Sequence, residues 1–127
     1  MPQEKIDALV SGCEEIFCDA LMNWPSKAGL HYTGTGAKII EGAEKLQKMH
    51  AFRPDIREKV LKLIESGELS KKGGDSSLRF SLDGMAASYL KIFYGKDSEI
   101  ALRQTPLPYD RERINKLIQE FYSKNSG

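Results

Sequence analysis

The sequence predicts a mostly α protein: a compact bundle of about five helices with a short strand pair or hairpin at 78–82 and, in one of two interpretations, 99–104. Apolar residues recur with helical spacing in five segments, whereas the alternation typical of a strand is confined to one or two short segments. The chain has 127 residues, close to the commonest domain size. We therefore expect residues 1–127 to form a single helical domain.

The strongest helical pattern lies in residues 3–24. Pro2 suits the first position of a helix, and Pro25 predicts its end. Apolar residues recur three and four positions apart for about five turns, as in an amphipathic helix; they are Ile6, Leu9, Val10, Cys13, Phe17, Ala20, Leu21 and Trp24.

Two further helices are predicted in the middle of the chain. A glycine- and threonine-rich loop precedes the first of them, with Thr35 as the N-cap of a helix over about 36–50. Pro54 opens the next helix, and Gly67 predicts its C-terminal end.

The segment that follows is predicted to combine a surface loop, a strand and a fourth helix. Residues 69–77 are rich in turn-forming residues. Residues 78–82 alternate apolar and polar side chains, which indicates a strand. Asp83 is then expected to cap a helix over 84–94 that ends at Gly95.

Residues 98–104 leave two alternatives open. Ser98 caps a short helix, or Ile100 and Leu102 alternate in a strand that pairs with 78–82. After a proline-containing connector, Asp110 is predicted to cap the final helix, whose inward positions include Ile114 and Phe121.

Composition and residue pattern argue against a membrane protein and against a secreted protein. The net charge is +1, and no apolar run approaches the ~20 residues of a membrane span, so we expect no membrane partner. Acidic residues interrupt the N-terminal region, which predicts no secretory signal. Cys13 and Cys18 fall on different faces of one helix, so they are expected to stay reduced, as in a cytoplasmic protein.

Charge is distributed unevenly along the chain. Residues 1–24 carry five acidic residues and one lysine, whereas residues 38–72 carry nine Lys or Arg and six acidic residues. An acidic first helix and a basic middle segment are consistent either with internal pairing or with two separate surfaces.

The loop that enters the second helix is a candidate site for a small phosphorylated ligand. Glycines let a ligand approach the backbone, and free N–H groups at a helix start with a lysine one turn further favour an anion. The alternative is a loop whose glycines serve turns. The residues of the candidate site are His31, Tyr32, Thr33, Gly34, Thr35, Gly36 and Lys38.

The basic stretch 38–72 is a candidate nucleic-acid-binding surface. Binding phosphates would require several of its charges to project together, free of acids. The alternative is a solvated face of mixed charge, since Glu41, Glu44 and Glu58 are interspersed. The residues of the candidate surface are Lys38, Lys45, Lys48, Arg53, Arg57, Lys71 and Lys72.

No catalytic motif, metal-ligand spacing or cofactor fingerprint is recognisable in the sequence. We therefore expect no enzyme, cofactor or metal site, and a small non-enzymatic protein–protein interaction module: an adaptor, an inhibitor or a subunit of a larger assembly. Its partner would be another protein, and its oligomeric state is open. The alternatives are a helical nucleic-acid-binding subunit using 38–72 and a binder of a phosphorylated ligand at Gly34–Lys38.

Overall fold

A computed structural model describes residues 3–123, and those residues form six α-helices. The helices are α1 (Gln3–Lys27), α2 (Thr35–Lys48), α3 (Arg53–Ser66), α4 (Gly74–Tyr94), α5 (Asp97–Gln104) and α6 (Arg111–Tyr122). The predicted helix-dominated fold is confirmed. The helix beyond the expected five is α5.

Helix α1 lies at the centre and packs against α2, α3 and α6. It buries residues around most of its circumference, because a helix enclosed on several sides needs more than one apolar stripe. Helix α4 covers the remaining part of the core and contacts α2, α3 and α6, while α5 packs against α4. Both thiols, of Cys13 and Cys18, are free and buried in α1.

Two hydrogen bonds from aromatic side chains connect distant helices. The indole Nε1–H of Trp24 donates to the Thr105 carbonyl (2.5 Å), which ties α1 to the end of α5. The Tyr89 hydroxyl on α4 donates to the Ile39 carbonyl in α2 (3.0 Å). A Cβ atom at Gly42 would collide with this hydroxyl, so α2 carries a glycine where α4 approaches.

The predicted strand pair is wrong, because residues 3–123 contain no strand. Residues 78–82 lie inside α4, which begins at Gly74, and residues 99–104 lie in α5. Leu78 and Leu82 are four residues apart, so a helix buries both while Phe80 points to solvent. Over five residues, this pattern cannot be told from strand alternation.

Three predicted helix boundaries also differ from the structure. Pro25 lies within α1, which continues only two residues further to Lys27, so the proline disturbs only the last turn of the helix. Thr35 is the first residue of α2, and Gly34 holds the cap position with φ +62°. Asp83 lies in the middle of α4, because that helix already begins at Gly74, with Gly73 in the cap position.

Other boundary predictions are confirmed. The Asp110 carboxylate accepts a hydrogen bond from the Arg113 N–H (3.2 Å) and so caps α6. Gly67 and Gly95 follow α3 and α4 with φ of +78° and +59°, conformations that glycine adopts without the steric penalty of a side chain. Within residues 3–123, no helix is both long and apolar enough to cross a membrane.

Candidate functional site

An open groove of about 690 Å³ runs between α3 and α4. The two helices are antiparallel, because a short connection joins the end of α3 to the start of α4. At the opposite end, the rings of Phe52 and Tyr89 meet edge to face with centroids 5.8 Å apart. The start of α3 therefore lies beside the C-terminal half of α4.

The groove has an apolar floor and a charged rim. Phe52, Leu63, Met85 and Tyr89 line it from the core. The α4 wall is made of small residues and ends at an isoleucine, and the α3 rim carries two acidic residues followed by two lysines. These lining residues are Ser81, Gly84, Ser88 and Ile92 on α4 and Asp55, Glu58, Lys59 and Lys62 on α3.

A row of four residues on α4 borders this groove and faces solvent. Phe80, Gly84, Ser88 and Ile92 recur every fourth position, so they form a ridge that winds by about 120° around the helix from Phe80 to Ile92. The last three line the groove, and Phe80 lies beyond its end. Phe80 is 80% exposed and Ile92 is 76% exposed, the two highest values among the exposed large hydrophobic side chains in the described part of the chain. The row thus has a large apolar residue at each end, about 18 Å apart along the helix axis, with small residues between them. We call this row together with the groove the α3–α4 surface.

Gly84 has no packing role among the described residues. A Cβ atom placed there would meet nothing within 4 Å. Glycine inside a helix costs about 1 kcal/mol relative to alanine. At Gly42, by contrast, the neighbouring Tyr89 hydroxyl explains the glycine. Gly84 leaves the middle of the row open to close approach by another backbone.

The loop predicted to bind an anion is exposed over 31–34. At the start of α2, a Cβ atom on Gly36 would collide with the His31 carbonyl, so the loop backbone lies directly against the first turn of the helix. Tyr32 lines a separate depression with Pro108 and Tyr109. Lys38 is exposed on α2. The glycine at 36 therefore has a structural explanation in the contact between loop and helix.

Two arginines of the basic stretch face α1. The Arg57 guanidinium contacts the Asp7 carboxylate (2.5 Å), and Arg53 donates to the Ser11 hydroxyl (2.7 Å). One turn further along α1, Glu14 Oε1 lies 2.6 Å from His50 Nδ1. The acidic first helix and this part of the basic middle segment therefore pair with each other.

The remaining lysines of the stretch lie in two places. Lys38, Lys45 and Lys48 are exposed on α2, and Glu41 shares their side of the helix by its spacing. Lys71 and Lys72 lie in the connection before α4 and line a depression together with Tyr122 of α6. The candidate surface is thus divided: the lysines form two separate groups, and the two arginines contact α1.

Glu14 is the most deeply buried charged residue among those described, with 3% of its surface exposed. Its Oε1 atom faces His50, whose backbone has φ +53°, a conformation uncommon for a residue with a side chain. Its other oxygen, Oε2, has no hydrogen-bond partner. Residues 3–123 contain no group of three or more His, Cys, Asp or Glu placed to hold a metal ion.

A second polar cluster joins α4 to the connector before α6. Asp75 contacts Arg79 (3.4 Å) and Arg111 (3.9 Å). Burial raises the pKa of Asp83, and burial followed by the charge of Asp83 raises the pKa of Tyr109. The charges of this cluster are therefore paired with each other inside the fold, as Asp75 is with the two arginines.

Sequence reasoning missed the α3–α4 surface. Its signal is the four-residue spacing of Phe80, Gly84, Ser88 and Ile92, which becomes visible only if 78–82 is helical. Comparisons with protein-family models, curated proteins and solved structures gave no match.

Proposed function

We propose that this chain is a small non-enzymatic protein–protein interaction module that presents the α3–α4 surface to another polypeptide. The observation that carries the proposal is the exposed apolar row from Phe80 to Ile92 beside an open groove. An adaptor, an inhibitor or a subunit of a larger assembly would each use such a surface.

The composition of this surface supports the proposal. Protein interfaces combine an apolar centre, rich in aromatic residues, with a polar rim. Here Phe80 and Ile92 supply exposed apolar area, and the groove floor adds Phe52 and Tyr89. A few such side chains dominate the affinity of most interfaces.

The two alternative functions have less support. Nucleic-acid binding through 38–72 would rely on two separate groups of lysines, since Arg53 and Arg57 contact α1. The groups are Lys38, Lys45 and Lys48 on α2, and Lys71 and Lys72 before α4. A phosphorylated ligand at Gly34–Lys38 would compete with the His31 backbone at the helix start. Fluorescence anisotropy with random-sequence RNA and DNA at low and near-physiological salt discriminates these functions, and our proposal expects no salt-sensitive binding.

Site-specific photocrosslinking tests the proposed surface. A benzophenone amino acid replaces Ser88 in the groove, and in a second protein it replaces Tyr32, which is exposed outside the α3–α4 surface. After illumination in lysate of the cells that naturally express the chain, we expect a discrete adduct from position 88 and none of that size from position 32.

The adduct should depend on the apolar row. Combining Phe80→Asp and Ile92→Asp with the photoreactive residue at position 88 should abolish it, because the substitutions charge both ends of the row. Equal crosslinking from positions 88 and 32, or an adduct that survives both aspartates, would contradict the proposed function.

A further inference from the structure

We infer that the polypeptide bound at the α3–α4 surface is a second copy of this chain, related by a two-fold axis that runs across α3 and α4. In this dimer, α4 packs antiparallel to α4 and α3 packs antiparallel to α3. The inference rests on the proposed function, because it uses the same surface, and it adds the identity of the partner.

The apolar row is self-complementary. Phe80 and Ile92 each lie six residues from position 86, so an antiparallel α4 pair places each Phe80 against Ile92 of the second copy. A two-fold interface requires this reciprocity, in which residue i contacts residue j and j contacts i.

The centre of the row permits close helix packing. Gly84 and Ser88 lie two residues on either side of position 86, so the two helices would meet at small side chains. Rows of every fourth residue interdigitate in the commonest class of helix packing, with axes about 8–10 Å apart. The glycine without an internal packing role then has a function.

The charges on α3 are arranged so that an antiparallel pair of α3 helices would bring opposite charges together. Asp55, Glu58, Lys59 and Lys62 share one side of the helix and line the groove. Within one copy Lys62 pairs with Glu58 (3.2 Å), but both side chains remain largely exposed and can still meet charges of a second copy. They change sign about the midpoint between 58 and 59. In the antiparallel dimer, Asp55 faces Lys62 of the second copy and Glu58 faces Lys59, whereas a parallel arrangement would place Asp55 against Asp55.

One axis can satisfy both patterns. Starting from the contact between Phe52 and Tyr89, the α3 midpoint lies about 10 Å along its helix and position 86 lies about 5 Å along α4. The two helices run antiparallel, so both displacements point in the same direction. The centres therefore agree to about one helical turn.

The test is sedimentation velocity of the purified full chain from low micromolar to near-millimolar concentration. We expect a species of twice the chain mass. Gly84→Arg should give a monomer, because an arginine at position 84 fits a single copy but would collide with α4 of the second copy. Phe80→Asp with Ile92→Asp should also give a monomer, because it places charges at both ends of the row. Tyr32→Asp, outside the surface, should leave the dimer unchanged.

Charge reversal distinguishes a second copy from any other partner. Asp55→Lys alone and Lys62→Glu alone should each weaken the dimer about tenfold, since each change acts twice in a two-fold interface. The double variant should recover wild-type affinity, because each new lysine again faces a new glutamate. Circular dichroism checks that all variants remain helical.

The possible outcomes distinguish failure of the dimer from failure of the proposed function. A chain that is monomeric at every concentration overturns the inference, as does a dimer that Gly84→Arg leaves intact or that the charge double variant fails to restore. If the purified chain is monomeric while position 88 crosslinks a different protein through Phe80 and Ile92, the inference fails and the proposed function stands. Absence of both the dimer and the adduct defeats both.

Discussion

Two glycines inside helices, Gly42 in α2 and Gly84 in α4, have opposite surroundings. A side chain at 42 would collide with the Tyr89 hydroxyl, whereas a side chain at 84 would meet open space. The sequence around them does not reveal this difference in surroundings, because both are isolated glycines in helical patterns. Substitution by alanine should therefore affect the two sites in opposite directions.

Gly84→Ala should raise the free energy of unfolding by about 0.5–1 kcal/mol, since alanine restricts the unfolded chain and suits a helix interior. Urea denaturation measures the change, with Phe80→Asp and Ile92→Asp present in both proteins so that self-association does not contribute. A loss of stability would mean that position 84 contacts something within a single copy.

Gly42→Ala should lower the free energy of unfolding by about 1–3 kcal/mol, because it displaces the hydroxyl that donates to the Ile39 carbonyl and leaves both groups buried without partners. In a Tyr89→Phe background, the same substitution should be nearly neutral or stabilising, since its closest remaining neighbours are ring carbons. Equal losses in both backgrounds would contradict the role assigned to the hydroxyl.

Residue-scale features were predictable where the signal is local. The Asp110 cap and the glycines after α3 and α4 depend on a few adjacent residues, and their predictions are confirmed. Exposure of Phe80 and Ile92 depends on which face of α4 the rest of the chain covers. No local pattern encodes that choice.

At the scale of elements, α4 is the helix that sequence reasoning divided. Gly74, Gly84 and the alternation at 78–82 lower its apparent helical propensity. Burial of Leu78, Leu82 and Leu90 against the other helices outweighs that deficit. For the same reason 98–104 is a helix, since α5 packs against α4 and has no strand to pair with.

Ion pairs between α1 and other helices should contribute modestly to stability. In a double-mutant cycle, Asp7→Ala and Arg57→Ala should show a coupling energy of about 0.5 kcal/mol, since both side chains remain partly exposed. The Asp19–Arg113 pair between α1 and α6 has similar exposure and serves as a matched comparison. Added salt should reduce both couplings, and salt-independent values would contradict solvent-screened pairs.

At the scale of the whole molecule, buried thiols link folding to alkaline pH. Burial raises the pKa of Cys13 and Cys18 from 9.0 to about 12, and burial likewise raises the pKa of Tyr89 to about 12. Below pH 9 the thiols are protonated in both the folded and the unfolded chain. Between pH 9 and 12 only the unfolded chain loses their protons, so stability falls as pH rises.

The free energy of unfolding should therefore decrease by about 2 kcal/mol per thiol between neutral pH and pH 10.5. Trp24, the single tryptophan and fully buried, reports unfolding through its fluorescence. Cys13→Ala should lower stability at neutral pH by leaving a cavity, yet flatten the decline above pH 9. An unchanged slope in that variant would show that the thiol does not contribute.

The central position of α1 also affects how the protein is made. Helices α2 and α3 leave the ribosome soon after α1 and cover part of its surface, but α6 is synthesised last. Until Arg111–Tyr122 emerges, the side of α1 around Gly12 that receives Leu117 stays uncovered on the nascent chain. We therefore expect chaperones that bind apolar segments to associate with ribosomes halted before Arg111 and to release the protein once α6 has docked.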